Sequence, residues 1–146
     1  MEKNLSVVIV TFHSEEIIEK TIKDLYDLDV VIVECSNNKK LKEKILKKYN
    51  YINFILSSEN LGYSAGNNLG IKNTKYEDVL IINPDIILNR ENIKSLLSYM
   101  CLIKDYGILC PNLQTEVCEN FSKKNSYLPT KINWEAIGHG LVGGCA

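Results

Sequence analysis

Asp85 closes the triplet Asn83-Pro84-Asp85, which interrupts the apolar run VLIINPDIIL between Val79 and Leu88. The triplet is a good turn sequence in its own right. Proline presets φ, and asparagine and aspartate side chains hydrogen-bond to nearby backbone. The same triplet also puts a carboxylate, with no close basic neighbour before it, at the end of a strand-like segment. A carboxylate so placed suits a hard divalent cation, because Mg²⁺ and Mn²⁺ take oxygen ligands and commonly bridge a protein carboxylate to diphosphate oxygens.

A second candidate is NLGYSAGNNLG, from Asn60 to Gly70. Glycines let a backbone approach a ligand closely, and a helix N-terminus after such a loop favours anions. The plainer reading is a loop and helix packed tightly under a sheet, with asparagines as caps. The spacing is neither GxGxxG nor a loop ending in Gly-Lys-Ser/Thr, so dinucleotide and P-loop sites are poor fits. A third is Glu34-Cys35-Ser36-Asn37, where an acid at a strand end can reach a ribose hydroxyl or a base edge. Ser36 or Asn37 serving as a helix cap is the alternative there. Cys35 has no recognisable histidine and carboxylate partners for a nucleophile's role, and His13 reads as a loop histidine.

These residues need elements to hold them. LSVVIVTF, DVVIVE, INFIL and DVLIIN are buried-strand signals rich in Val and Ile, and GILCP is expected as a fifth strand closed by Pro111. Between them lie helical patterns: Ile17, Ile18, Ile22, Leu25 and Tyr26 after a Ser14 cap; Leu41, Ile45, Leu46 and Tyr49 on a lysine-rich segment; and Ile93, Leu96, Leu97 and Met100 after Asn89 or Asn92. Strand–helix alternation implies βαβ units and a mostly parallel sheet, with ligands outside the carboxyl ends of the strands. The polar segments follow Phe12, Val33, Ser58 and Ile82, all at that end.

Composition narrows the partners. At 146 residues, 45% hydrophobic and 24% charged, the chain has the make-up of an ordinary folded domain. A net charge of −1, from 17 basic and 18 acidic residues, leaves no footprint for nucleic acid. Arg90 is the only arginine, so any phosphate must be held by amides, lysine or a metal. Five cysteines without metal-ligand spacing suggest free thiols in a reducing compartment. No run is long enough for a membrane span, and a cytoplasmic location is expected, with the inner face of the membrane reached through a partner or a further segment.

In their order, SVVIVTFHS, VIVECSNN, NLGYSAGNNLGI, VLIINPDIIL and GILCPNL resemble the inverting family 2 glycosyltransferases of the GT-A fold, and among them the bacterial rhamnosyltransferase-like branch. The resemblance implies an α/β, Rossmann-like, mostly parallel sheet with helices on both faces. It implies a nucleotide-sugar-binding βα region over residues 1–111, and over 112–146 the start of an acceptor-side region. By the same resemblance Asp85 holds Mg²⁺ or Mn²⁺ on the donor diphosphate, with Asn83 beside it. Thr11 and Phe12 contact the base. Glu34, where the family usually has Asp, contacts base or ribose. Asn60, Gly62, Gly66 and Asn67 line the nucleotide and donor sugar.

The implied reaction moves a sugar from a UDP- or dTDP-linked donor to a hydroxyl of a sugar or lipid-linked glycan acceptor, with inversion, in surface polysaccharide or glycan synthesis. Family members run on past the stretch resembling Gly143–Ala146 to an acidic motif that carries the general base. The sequence is therefore expected to be cut short at its C-terminal side and to contain no catalytic base. Glu116, Glu119 and Glu135 are available acids that nothing places in a cleft. Exposed apolar surface and self-association are expected from such a cut. A non-catalytic nucleotide-sugar-binding module is the competing reading, and a nucleotidyltransferase is disfavoured because TFHSEE lacks a glycine- and lysine-rich loop.

Overall fold

The computed structural model of the protein describes residues 4–102 together with 107 and 108. Strands and helices alternate: β1 Leu5–Thr11, α1 Ile18–Ile22, β2 Asp29–Glu34, α2 Lys39–Lys48, β3 Ile52–Leu56, α3 Gly62–Ile71, β4 Asp78–Ile82 and α4 Arg90–Leu102. The four strands form one parallel sheet in the order β3-β2-β1-β4. The chain divides into two compact units, Met1–Ser98 and Tyr99–Ala146, and every candidate site residue belongs to the first. Of the expected fifth strand, 107–111, only Gly107 and Ile108 are described, neither of them in a strand, and the expected acceptor-side region, 112–146, lies outside the described residues.

Topology dictates the layering. The chain steps from β1 to β2 to β3 in one direction, then α3 carries it back across to β4 on the far side of β1. Right-handed crossovers put helices of opposite travel on opposite faces. Accordingly α3 covers Val8, Val10, Val31 and Val33, with its own Leu69, and Leu61 and Tyr63 at its start, packed against them. Val7, Ile9, Val30 and Ile32, which alternate with those residues, are fully buried too, as are Ile18 and Ile22 of α1, Ile45 of α2 and Ile93 of α4. β1, central and buried along its whole length, is therefore the continuous apolar run that a doubly covered strand requires.

Boundaries differ from the sequence expectation where side chains have competing work. α1 stops at Ile22, although Leu25 and Leu28 continue the apolar pattern. Those two are buried by successive i→i+3 turns, Leu25 N–H to Ile22 O and Leu28 N–H to Leu25 O, each at 3.0 Å. Ser14 does not cap α1 through its hydroxyl, which donates to Phe12 O instead. The cap of α2 is Asn38, accepting from Leu41 N–H at 2.9 Å, because Ser36 is engaged elsewhere and Asn37 is left-handed at φ 56°. Asn89, one of the two residues that the sequence offered, caps α4, with Asn92 answering its N–H.

Two ties hold the connections. Arg90 forks onto Asp27 and lies 4.5 Å over the Tyr26 ring, binding the start of α4 to the turn before β2. At the amino ends of the strands, the fully buried Ser6 donates to Asp29 Oδ2 at 2.6 Å and accepts from Tyr76 N–H at 3.0 Å. Removing that hydroxyl orphans a backbone donor, which costs ~1–3 kcal/mol. Ser6→Ala is expected to lower the urea midpoint by that equivalent with an unchanged slope. An unchanged midpoint would mean that the Tyr76 amide is satisfied without it.

Candidate functional site

The strand order reverses between β1 and β4, and in open α/β sheets that switch point opens a crevice at the carboxyl ends of the strands. The register brings the candidates to this rim. Thr11 pairs with Glu34, Glu34 with Leu56, and Ile9 with Ile82, so Asn83-Pro84-Asp85 leaves the sheet one strand over from Val10-Thr11-Phe12.

Asn83-Pro84-Asp85 forms a turn at the rim of the sheet. Ile86 N–H donates to Asn83 O at 3.1 Å, closing the turn. Thr21 of α1, itself buried, donates its hydroxyl to Pro84 O at 2.5 Å and pins the turn to the helix below. Asp85 is exposed, and no described residue donates to its carboxylate. Among the described residues no group of three or more His, Cys, Asp or Glu could hold a metal. A cation here would thus take one protein carboxylate and fill its shell with ligand oxygens and water. Magnesium sites beside diphosphates have this character, and the residues fit it.

At the β1–β2 edge the geometry is different. Glu34 is completely buried. Thr11 donates to Glu34 Oε2 at 2.6 Å, and the Ser36 amide donates to Oε1 at 2.6 Å, joined there by the Ser36 hydroxyl. A carboxyl is tolerated in such a place only when it is bonded in this way. The expectation that Glu34 itself contacts base or ribose therefore meets a group turned inward and already bonded, with half-buried Ser36 standing outside it. Phe12 lies half exposed beyond Thr11, its ring 4.3 Å edge-on from His13. His13 and Asn37 are the only non-glycine residues with positive φ among those described, one just past each strand end. Such backbone clusters at ligand sites.

The glycine-rich segment is mostly helix rather than loop. Asn60 is exposed and accepts from Gly62 N–H at 2.9 Å, and Gly62, at φ 68°, starts α3. Gly66 lies mid-helix with Val10 beneath it, where an added β-carbon would stand 2.8 Å from Val10 Cγ1. Its missing side chain serves helix–sheet packing. That close approach also buries the next residue, Asn67, 6% exposed, whose Oδ1 has no hydrogen-bond partner among the described residues. A buried amide oxygen without a donor is costly in a folded chain. Cys35 is buried, and burial pushes its thiol up, away from nucleophilic use.

Sequence reasoning missed Thr21 and underused Ser36. Thr21 lies 63 residues from Pro84, and nothing local announces their meeting. Ser36, two residues after a buried acid, had a local signal, since a serine so placed can bond back to the side chain.

A parallel α/β sheet helical on both faces, with polar strand ends gathered at its switch point, is a GT-A-like fold. Solved structures of S. aureus TarS share it. TarS 1-349 aligns with a TM-score of 0.59 and 24% identity over 77% of this chain and 39% of that one, and a second TarS structure gives 0.57 and 22% over 77% and 23%. Residues 6–145 match the Glycosyl transferase family 2 domain, and the chain belongs to that family. It is also 34% identical, over 147 residues, to the low-salt glycan biosynthesis hexosyltransferase Agl10 of Haloferax volcanii. The match covers 94% of this chain and 45% of that protein, so the chain spans less than half the length of these relatives. No helix among the described residues is long and apolar enough to cross a membrane.

Proposed function

We propose that this chain forms the donor-binding half of a glycosyltransferase. It would transfer a sugar from a UDP- or dTDP-linked donor to a hydroxyl of a sugar or lipid-linked glycan acceptor, with inversion and with Mg²⁺ or Mn²⁺. Glycan or surface polysaccharide synthesis is the setting suggested by the relative's name, and the rhamnosyltransferase-like branch by the motifs. One observation carries this reading: a carboxylate without a partner among the described residues, Asp85, on a turn braced by Thr21 beside the switch point of a family 2 sheet.

Each residue then has a physical task. Asp85 holds the cation, and Asn83 and Pro84 fix its backbone. The bound ion supplies positive charge to oppose what grows on the departing diphosphate. Phe12 offers an apolar ring edge at the tip of β1, suited to a base. Asn60 is committed to starting α3 and acts by placing that helix's first turn.

A thermal-shift screen of UDP- and dTDP-sugars, with and without Mn²⁺, tests the proposal. The expected result is an upward shift that needs nucleotide and metal together. No shift with any nucleoside diphosphate in the presence of Mn²⁺ would defeat it.

A further inference from the structure

We propose that two copies of this chain pair through the outer edge of β3, antiparallel about a two-fold axis, with their α2 helices meeting over the join. That edge lies on the far side of β2 from the switch point, so the inference stands apart from the donor-site reading.

Among the described residues β3 ends the sheet and pairs with β2 alone. The register shows which of its backbone groups are spent. Ser57 N–H donates to Glu34 O at 2.9 Å, and Glu34 stands opposite Leu56. In a parallel pair such a residue bonds to the two neighbours of its opposite, so Asn53 and Ile55, like the Ser57 amide, face β2. Ile52, Phe54 and Leu56 face outward. The Ile52 amide is met locally by Tyr49 O at 3.4 Å, whereas the outward groups of Phe54 and Leu56 bond to no described residue. Proteins usually blunt such an edge with lysine, proline, a bulge or a covering element. From Tyr49 to Ser58 this chain has no charged residue, no proline and no glycine.

α2 supplies an independent observation. Lys44 and Lys48 reach Glu19 at 2.5 and 2.6 Å, which marks the flank of α2 that faces α1. Leu41 and Ile45 form its buried line. Lys42, Leu46 and Tyr49, four and three residues apart, make the opposite flank, on the side of the β3 edge. Leu46 is 36% exposed there, on a helix otherwise rich in lysine. A two-fold axis through Phe54 uses both features. Each Phe54 N–H bonds to Phe54 O of the other copy, and each Leu56 N–H to Ile52 O. The α2 helices then run antiparallel on one face with Leu46 against Leu46, while the Lys42 side chains lie at opposite ends. The same operation brings Glu59, just past the uncharged run, to the Lys47-Lys48 end of the other copy. Such a contact closes on itself, so association stops at two.

The test is light scattering and residue-resolved amide exchange of the full chain over a range of concentrations. The expected species has twice the 16.6 kDa of one chain and dissociates on dilution. The Phe54 and Leu56 amides should be protected only in the dimer, and those of Asn53 and Ile55 in both states. Leu46→Glu sets like charges against each other across the axis, and Asn53→Lys puts a charge into the edge. Both positions are exposed, so each variant should keep the monomer's melting midpoint while weakening the dimer by more than about tenfold. A monomer at every concentration overturns the proposal. So does an association that either variant leaves untouched, which is what apolar surface elsewhere on a cut chain would give. Phe54 and Leu56 amides protected at every dilution would place a segment of the same chain on the edge, and would overturn it too.

Discussion

Asp85→Ala is expected to abolish the manganese-dependent stabilisation by nucleotide sugar while leaving the ligand-free protein as stable as before. The two halves of that result come from one observation. Asp85 is exposed, and no described residue bonds its carboxylate. Surface substitutions of this kind usually stay within about ±0.5 kcal/mol. The turn should survive, because Ile86 N–H to Asn83 O and Thr21 to Pro84 O involve no atom of the Asp85 side chain. Ligand at a hundred times its dissociation constant adds about 2.7 kcal/mol to wild type. For a chain of this length that is roughly an 8 °C rise in midpoint. The variant should show the rise with neither Mg²⁺ nor Mn²⁺, and Asp85→Asn should behave like alanine because the ion needs the charge. A full shift in Asp85→Ala would move the metal elsewhere. A loss above about 1 kcal/mol without ligand would make Asp85 structural.

The two central strands were legible because β1 and β2 are buried on both faces and so read as runs of Val and Ile. The helix cap at Asn89 was legible because capping is a local exchange between residues three apart. Legibility failed where the decisive partner is distant. Leu25 looked helical because burial alone, not helix, demands an apolar residue there. Gly66 could be read as lining a ligand or as packing a helix on the sheet, because sequence does not distinguish a backbone approaching a phosphate from a helix approaching a valine. Glu34 looked like a ligand contact because its type and position suit one. Only the tertiary structure shows both oxygens bonded to Thr11 and Ser36. The site's chemistry could be read from residue types at strand ends, whereas its wiring required the register between strands.

The packing of α3 on β1 yields the largest expected loss of stability, in Gly70→Ala. Two effects of opposite sign compete. Replacing a glycine in the last turn of a helix by alanine favours the helix by at most about 1 kcal/mol. Against it, the new methyl would meet Val8 Cγ1 well inside any distance that real atoms keep, closer even than the 2.8 Å between a β-carbon at Gly66 and Val10 Cγ1. Val8 cannot easily retreat. It is fully buried in the central strand, β-branched and stiff at χ1, and Val33 Cγ2 closes the neighbouring space at 3.4 Å. Overpacking of this kind costs ~1–3 kcal/mol and occasionally more. The clash should win, with a net loss of about 2 kcal/mol for Gly70→Ala and a smaller one for Gly66→Ala. Adding Val8→Ala to Gly70→Ala should return part of the loss, so that the double variant is more stable than the sum of the singles requires. Lifting α3 also moves Asn67, so Gly70→Ala should weaken nucleotide-sugar binding at temperatures where it is still folded. A Gly70→Ala protein more stable than wild type would mean that α3 does not press on β1 so closely, and the burial of the Asn67 oxygen would lose its cause.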